Sequence, residues 1–154
     1  MPIGPVMLDL KGIEISAEEK ELLKHPAVGG VILFSRNFYS IEQLGKLVFD
    51  IRQSRSSPTL IAVDHEGGRI QRFKEGFTHL PPQSFYGNCY DQNPEKALEL
   101  ANRGGWLMAV ELLSLGIDFS FAPVLDLKSS HSKIIGDRSF HANPQIVIEM
   151  ARSY

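Results

Sequence analysis

A group of charged residues directly follows an apolar run in the segment IAVDHEGGRIQRF, residues 61–73. The run that ends at Val63 is typical of a buried strand, and Gly67-Gly68 is typical of the turn that ends it. Asp64 therefore stands at the carboxyl end of a strand, where parallel sheets place their active sites. A carboxylate at that position can bind hydroxyl groups, hold a metal ion or act as a base.

Two arginines follow Asp64 within one short turn. Guanidinium groups beside a carboxylate commonly hold polar ligands, and we favour Arg72 over Arg69 as the partner in such a site. The alternative is that Asp64 only caps a turn. A second candidate pair, Asp137-Arg138 in the segment IIGDRSF, follows a later predicted strand. It either reaches the same pocket as Asp64, if the sheet closes into a barrel, or forms a salt bridge on the surface.

Glu66 lies two residues beyond Asp64 and would share its face in an extended chain, as paired carboxylates do in glycoside hydrolases. We favour the alternative that Glu66 supports the glycine turn through backbone hydrogen bonds. The sequence predicts no metal site, because Asp64, His65 and Glu66 are consecutive and would point to alternate sides. No nucleotide cofactor is expected either, since the glycine pairs form neither a G-x-G-x-x-G motif nor a P-loop.

The composition is that of an ordinary globular protein that acts on a small molecule. Of its 154 residues, 43% are apolar and 22% are charged. The formal net charge of −2, without blocks of like charge, argues against a nucleic-acid or membrane partner. A single cysteine, Cys89, and a start without the pattern of a signal peptide predict a cytoplasmic protein.

Short apolar runs alternate with helix patterns along the chain, which predicts repeated βα units and a parallel sheet. Ser16 precedes Glu19 by three residues, and Ser40 precedes Gln43 by three, so each pair is expected to form a capping box. The predicted strands are 6–10, 29–34, 59–64 and 117–127, and the predicted helices are 16–24, 40–53, 94–115 and 144–154.

The later helices have clear start and stop residues. Asn93 and Asn143 each precede a proline, which is typical of a helix start, and Gly116 is typical of a helix end. Each glycine of the interior pair Gly104-Gly105 costs about 1 kcal/mol relative to alanine in a helix. Their presence suggests that this helix packs closely against a neighbour.

Two folds accommodate this pattern: an open doubly wound sheet and a closed eight-stranded barrel. Length favours the open sheet, because a complete barrel takes about 250 residues. The long region 65–93, rich in Gly, Pro and aromatic residues, favours a barrel with its active-site loops. The missing nucleotide motif weakens the doubly wound alternative, but the pattern of elements leaves both open.

Five segments together resemble one protein family. They are HPAVGGVILFSRN (25–37), AVDHEGGRIQRF (62–73), GFTHLPP (76–82), GGWLMAVELLSLGIDFSFAPVLDL (104–127) and IGDRSF (135–140). In this order and spacing they resemble the N-terminal half of bacterial family 3 glycoside hydrolases, in particular the cytoplasmic β-N-acetylglucosaminidases, or β-hexosaminidases, of peptidoglycan recycling. The resemblance implies a (β/α)8 TIM barrel, of which residues 1–154 would form about the first half of a single domain.

The resemblance also implies roles for three residues. Asp64, Arg72 and Arg138 would grip the hydroxyl groups of N-acetylglucosamine. The implied activity is retaining hydrolysis of terminal non-reducing N-acetylglucosamine from peptidoglycan-derived muropeptides, without a cofactor. The family's acid/base histidine and aspartate nucleophile lie further downstream, so no residue of this chain is assigned to catalysis, and neither His131 nor His141 lies in a matching motif. A segment that adds sugar contacts in the family also lies downstream. The chain is therefore expected to carry only part of the sugar-binding site and to be inactive without the C-terminal half of the barrel as its partner.

Two other hypotheses remain beside this one. The first is a standalone, non-enzymatic sugar-binding α/β domain. The second is an open-sheet enzyme for a phosphorylated ligand, against which the missing glycine motif argues. A half-barrel is expected to leave strand edges unpaired and apolar faces uncovered, and so to aggregate or pair with another chain. A standalone domain would lack that property.

Overall fold

The computed structural model describes residues 4–129 and 131–154, which form two compact units. Unit 1 contains the described residues up to Asp64 together with Arg72–Phe77 and Glu111–Ser120. Unit 2 contains His65–Gln71, Thr78–Val110 and Phe121–Tyr154. No helix in the described part of the chain is both long and apolar enough to span a bilayer.

Unit 1 is built on a parallel four-stranded sheet. The strands are β1 (Val6–Asp9), β2 (Val28–Leu33), β3 (Leu60–Val63) and β4 (Phe119–Ser120). Their spatial order follows the sequence, β1-β2-β3-β4, without reversal. Doubly wound sheets reverse their strand order at the switch point, whereas barrels add each strand on the same side. The order of the described strands therefore favours the barrel over the open sheet.

The four predicted helices are confirmed, with ends that differ by one residue at most. They are α1 (Ala17–Leu23) and α2 (Ile41–Gln53) in unit 1, α4 (Pro94–Ser114), whose last turn belongs to unit 1, and α5 (Pro144–Ser153) in unit 2. A further helix, α3 (Gln83–Tyr90), lies within the region predicted to be a loop. The sequence pattern misses α3 because its buried face includes Gln, Ser and Gly, so its apolar residues have no helical period.

The predicted strand 117–127 is wrong in its extent, because only Phe119–Ser120 is a strand. Pro123 has no backbone N–H to donate to a sheet ladder, and residues 121–129 form no regular element. The predicted end of α4 is confirmed, since Gly116 adopts a positive φ of 79° directly after the helix.

Capping residues fix the start of α1 as predicted. Ser16 Oγ accepts a hydrogen bond from Glu19 N at 3.2 Å, and Glu19 Oε2 accepts one from Ser16 N at 2.8 Å. Glu19 Oε1 also accepts from Lys11 N at 2.8 Å, so the carboxylate joins the helix start to the chain before it. The predicted capping box of α1 is confirmed.

The second predicted capping box is only half formed. Ser40 Oγ accepts from Gln43 N at 3.2 Å, as expected. Gln43 Oε1, however, accepts from Tyr39 N at 2.8 Å and not from Ser40 N. The amide group of Gln43 also donates to the carbonyl of Ile13 at 2.7 Å, and this hydrogen bond holds the Gln43 side chain away from Ser40 N.

Glu19 makes the stability of unit 1 depend on pH. Burial alone would raise its pKa, but hydrogen bonds from Lys11 and Ser16 and the charge of Lys11 outweigh burial and lower the pKa below 4.5. Because the pKa is lower in the folded state, the contribution of Glu19 is complete above its unfolded pKa and is lost as the pH falls through the folded value.

We expect Glu19→Gln to lower the free energy of unfolding by about 1–2 kcal/mol at neutral pH. The difference from the unsubstituted chain should shrink steadily as the pH falls below the usual range of glutamate carboxyls, because the carboxylate of Glu19 is then progressively protonated. Urea denaturation across this pH range measures the difference. Glu18→Gln is the matched control, since Glu18 forms only an exposed ion pair with Lys11 and should change stability little at any pH. A constant difference for Glu19→Gln down to acidic pH would contradict the assignment.

Close packing at the glycine pair of α4 is confirmed within unit 2. A Cβ on Gly104 would lie 2.2 Å from the hydroxyl oxygen of Tyr86, and one on Gly105 would lie 2.0 Å from the carbonyl oxygen of Tyr154. Tyr86 belongs to the core of this unit, and Tyr154 packs against it. The glycines thus let the α4 backbone approach this core. The buried core residues of unit 2 are Tyr86, Ala97, Ala101, Phe140, Val147 and Met150.

Candidate functional site

Asp64 follows β3 at the carboxyl edge of the sheet in unit 1, as the sequence predicts. The strand residues Ile61–Val63 are completely buried, which fixes the point at which the chain leaves the sheet. The backbone N–H of Asp64 still points to the carbonyl of Leu33 on β2, at 3.5 Å. The side chain that follows is 23% exposed, so part of the Asp64 side chain is accessible to solvent.

Arg72 holds Asp64 through two of its guanidinium nitrogens. Arg72 Nη2 pairs with Asp64 Oδ2, and Arg72 Nε donates to the backbone carbonyl of Asp64 at 2.8 Å. The guanidinium carbon also lies 5.6 Å from the ring centroid of Phe34. The prediction that Arg72 rather than Arg69 partners Asp64 is confirmed, and the pair presents an acceptor and donors side by side.

An aromatic cluster anchors the segment that carries Arg72. The ring of Phe73 lies 5.0 Å from that of Phe38 and 5.5 Å from that of Phe77, measured between centroids. Phe73 is completely buried. Because the neighbouring residue is held in the core of unit 1, the backbone at Arg72 is fixed without any contribution from a ligand.

The side chain of Glu66 binds Arg138 in unit 2, whereas its backbone supports the glycine turn as expected, since Glu66 N donates to Ile70 O at 3.1 Å. Arg138 Nε donates to Glu66 Oε2 at 2.9 Å, and Arg138 Nη2 donates to Glu66 Oε1 at 2.6 Å. Two further backbone hydrogen bonds hold the turn, since Gly68 N donates to Leu80 O at 2.8 Å and Ile70 N donates to Gly67 O at 3.1 Å. Both oxygens of Glu66 face a guanidinium, which also argues against Glu66 as one of two catalytic carboxylates.

Asp137 and Arg138 do not form a salt bridge of their own. Arg138 pairs with Glu66, and Asp137 Oδ1 accepts from Arg69 Nε at 3.0 Å. The Arg69–Asp137 pair is nearly half exposed on both sides and is therefore screened by solvent.

The Glu66–Arg138 and Arg69–Asp137 pairs line one small cleft of unit 2 with about 160 Å³ of empty volume. Gln83, the first residue of α3, is buried there and its Oε1 accepts from Val124 N at 3.1 Å. Gly67 adopts a positive φ of 90°, and a Cβ on it would lie 2.6 Å from the carbonyl oxygen of Pro81. A side chain at Gly67 would therefore force this wall of the cleft apart. The cleft is lined by Glu66, Gly67, Arg69, Pro82, Gln83, Asp137 and Arg138.

The two histidines that lie in no matching motif, His131 and His141, make ordinary structural contacts. His141 Nε2 lies 3.2 Å from Asp91 Oδ1, and its Nδ1 accepts from Asn143 N at 2.9 Å. His131 Nδ1 lies 3.3 Å from the hydroxyl of Ser129. Within 4–129 and 131–154, no three His, Cys, Asp or Glu side chains are grouped so that they could hold a metal ion.

Comparison with known families and sequences gives one consistent match. The glycosyl hydrolase family 3 N-terminal domain matches residues 6–154. The β-hexosaminidase of Thioalkalivibrio sulfidiphilus is 54% identical over 154 residues, and that of Alkalilimnicola ehrlichii is 55% identical over 154 residues. The match covers the whole of this chain but only 44% of each relative. The chain thus spans less than half the length of these curated relatives.

Solved structures show the same fold. The crystal structure of native NagZ from Neisseria gonorrhoeae has a TM-score of 0.96 at 47% identity, over 99% of this chain and 45% of that one. NagZ from the same organism in complex with N-trifluoroacetyl-D-glucosamine also has a TM-score of 0.96 at 47% identity, with the same coverage. A family 3 β-N-acetylglucosaminidase from Paenibacillus has a TM-score of 0.87 at 31% identity, over 96% of this chain and 28% of that one. The predicted TIM-barrel-like α/β fold is confirmed.

Proposed function

Because the chain belongs to glycosyl hydrolase family 3, as its motifs predicted, we propose that it forms part of a β-N-acetylglucosaminidase. The proposed reaction is retaining hydrolysis of terminal non-reducing N-acetylglucosamine. Relatives that match the whole chain are β-hexosaminidases, and one solved relative binds N-trifluoroacetyl-D-glucosamine. The observation that carries the proposal is the part-exposed Asp64–Arg72 pair at the carboxyl edge of β3.

We propose sugar binding, rather than bond cleavage, as the role of Asp64, Arg72 and Arg138. A terminal sugar presents hydroxyl groups that both donate and accept hydrogen bonds. The carboxylate of Asp64 accepts from such hydroxyls, and the guanidinium groups of Arg72 and Arg138 donate to them. All three side chains are about a quarter exposed, so each is held by its partner and still accessible to a ligand.

The natural substrate that we propose is a muropeptide derived from peptidoglycan, in the cytoplasm, as the family resemblance implies. The catalytic acid/base and the nucleophile are proposed to lie in the additional length that the relatives have beyond the matched region. No cofactor enters this mechanism, because general acid/base and nucleophilic groups suffice for retaining hydrolysis. The 154 residues then carry only part of the sugar-binding site and are insufficient for turnover.

Titration of N-trifluoroacetyl-D-glucosamine with the 154-residue chain, followed by ¹⁹F NMR, tests the binding function. We expect the fluorine resonance to broaden and shift in a saturable way, and an excess of N-acetylglucosamine to reverse the change. Inorganic phosphate should have no effect, whereas competition by phosphate would favour the alternative of a phosphorylated ligand. A fluorine resonance that stays unchanged at millimolar protein would overturn the proposal.

Turnover is tested separately with p-nitrophenyl β-N-acetylglucosaminide, with the intact mass of the protein recorded on the same sample. We expect no release of p-nitrophenol by a protein of the mass of this chain. Release at that mass would show that catalytic residues lie within these 154 residues, and would overturn their proposed placement.

An exposed apolar surface on unit 2 favours the enzyme over a standalone sugar-binding domain. Leu125, Leu127 and Ile148 line a groove there with about 600 Å³ of empty volume, and all three are exposed. Monomeric proteins rarely leave such groups uncovered together. We propose that the additional length seen in the relatives covers this groove.

We expect the double variant Leu127→Gln, Ile148→Gln to weaken self-association of the chain and to raise its dissociation constant about tenfold. The two substitutions remove apolar area that otherwise drives contact between copies. Sedimentation velocity over a range of concentrations measures the association. Phe49→Gln, which alters an exposed aromatic residue on α2 in unit 1, is the control and should leave association unchanged. A monomeric unsubstituted chain at all concentrations would instead support the standalone domain.

A further inference from the structure

The ion pair between Glu66 and Arg138 has a fixed geometry. Arg138 Nε and Nη2 donate to different oxygens of the same carboxylate, at 2.9 and 2.6 Å. Two parallel hydrogen bonds define the plane of the guanidinium as well as its position. An arginine held in this way has lost most of its rotamer freedom before any ligand arrives.

The two partners of this pair differ in how far their side chains are buried. The side chain of Glu66 is 3% exposed, whereas that of Arg138 is 23% exposed. A ligand in solvent can therefore reach Arg138 but not the carboxylate of Glu66. A buried carboxylate also requires a charged partner, so the two side chains depend on each other.

Hydrogen bonds and close contacts hold the backbone around both residues. Glu66 N donates to Ile70 O at 3.1 Å, and the following glycines pack against Leu80, Pro81 and Pro82. Arg138 ends a short 3-10 turn, and its N–H donates to Ile135 O at 2.8 Å. The next residue, Ser139, is completely buried and donates from its hydroxyl to Asp126 O at 2.5 Å. These hydrogen bonds and contacts hold both residues at the positions where the bidentate pair forms.

We infer that Glu66 is a positioning residue, which holds the Arg138 guanidinium in the orientation in which that group donates to the sugar hydroxyls. Glu66 itself does not touch the sugar. The inference rests on the proposed function, because it assigns Glu66 a role in the same sugar-binding event. Free arginine side chains adopt many rotamers, and the affinity for the sugar depends on how much of this freedom the protein has already removed.

The dissociation constant of N-trifluoroacetyl-D-glucosamine, measured by ¹⁹F NMR on the 154-residue chain, tests this role. We expect Glu66→Gln to weaken binding about tenfold, since the amide keeps the shape of the side chain but loses the bidentate acceptor. Asp137→Asn is the matched control, because it removes the neighbouring ion pair in the same cleft and should change the constant less than about twofold.

A double-mutant cycle separates positioning from direct contact. If Glu66 acts only through Arg138, then Arg138→Met and the double variant Glu66→Gln, Arg138→Met should bind the sugar equally weakly, within about twofold. The double variant leaves neither charge of this pair buried without its partner, so it can replace Arg138→Met in the comparison if Arg138→Met alone fails to fold. In that case, the dissociation constant of Glu66→Gln must lie between that of the unsubstituted chain and that of the double variant.

The outcomes distinguish this inference from the proposed function. Thermal unfolding of each variant reports folding separately, and a purely structural role of Glu66 would lower the melting temperature without changing the dissociation constant of the folded protein. That result overturns the inference, as does a double variant that binds clearly more weakly than Arg138→Met. If the unsubstituted chain does not bind the sugar at all, the proposed function fails and the inference fails with it.

Discussion

Asp64→Asn is expected to weaken the binding of N-trifluoroacetyl-D-glucosamine to the 154-residue chain by at least ~30-fold, or ~2 kcal/mol. The substitution replaces an ionised acceptor by a neutral amide, and hydrogen bonds to charged groups are roughly twice as strong as those to neutral ones. It also removes the charge from one of the two interactions through which Asp64 holds Arg72, so the neighbouring donors are held less firmly. The ¹⁹F NMR titration measures the change.

Unit 1 offers a matched control for this variant. Asp9 ends β1 and pairs with Arg36, whose Nε donates to a nearby backbone carbonyl, that of Leu10, at 2.8 Å. This arrangement resembles that of Asp64 and Arg72, but Asp9 is 62% exposed and its pair is screened by solvent. Asp9→Asn should change the dissociation constant less than about twofold. Equal losses in the two variants would mean that the effect of Asp64→Asn is a general consequence of removing a strand-end aspartate.

Gly87→Ala is expected to lower the free energy of unfolding by about 3 kcal/mol, which corresponds to a fall of about 6–12 °C in the melting temperature. A Cβ on Gly87 would lie 1.7 Å from the carbonyl oxygen of Phe140 and 2.8 Å from its carbonyl carbon. These are backbone atoms of a completely buried residue, so they cannot turn aside as the end of a side chain can. Either α3 or the segment at Phe140 must move, and the core of unit 2 loses contacts.

Gly45→Ala is the corresponding control on α2. A Cβ there would meet only Leu115 Cδ2, at 3.9 Å, which is an ordinary van der Waals contact. Because alanine is a better helix former than glycine, we expect this variant to be unchanged or more stable by up to about 1 kcal/mol. Urea denaturation of the two variants measures both effects. A loss of stability at Gly87 no larger than that at Gly45 would show that α3 does not pack against Phe140 as described.

The candidate site illustrates which contacts sequence reasoning can find. Asp64 and Arg72 are eight residues apart and follow a recognisable apolar strand, so local pattern is sufficient to predict their pairing. Glu66 and Arg138 are 72 residues apart. Pairs at that distance along the chain meet only through the packing of other elements, and the sequence pattern therefore did not indicate Arg138 as the partner of the Glu66 side chain.

The helices also fall into those that local pattern predicts and one that it does not. Capping residues and the apolar face of α2 act over one or two helical turns, and they predicted α1, α2, α4 and α5 to within one residue. Helix α3 was missed because the face that it buries is made of Gln83, Ser84 and Gly87 beside Tyr86. Burial of such small and polar residues depends on what packs against them, which local pattern does not contain.

The sequence alone is thus sufficient to predict the βα repeat, the helix ends, the family and the position of Asp64 beside Arg72. These features depend on interactions between residues close in the chain, or on motifs that are read directly. The direction in which strands are added to the sheet, the two-residue length of β4 and the buried Glu66–Arg138 pair depend on folding. Each of them requires distant segments to compete for the same hydrogen-bonding groups and the same buried space, and that competition is resolved only when the chain packs.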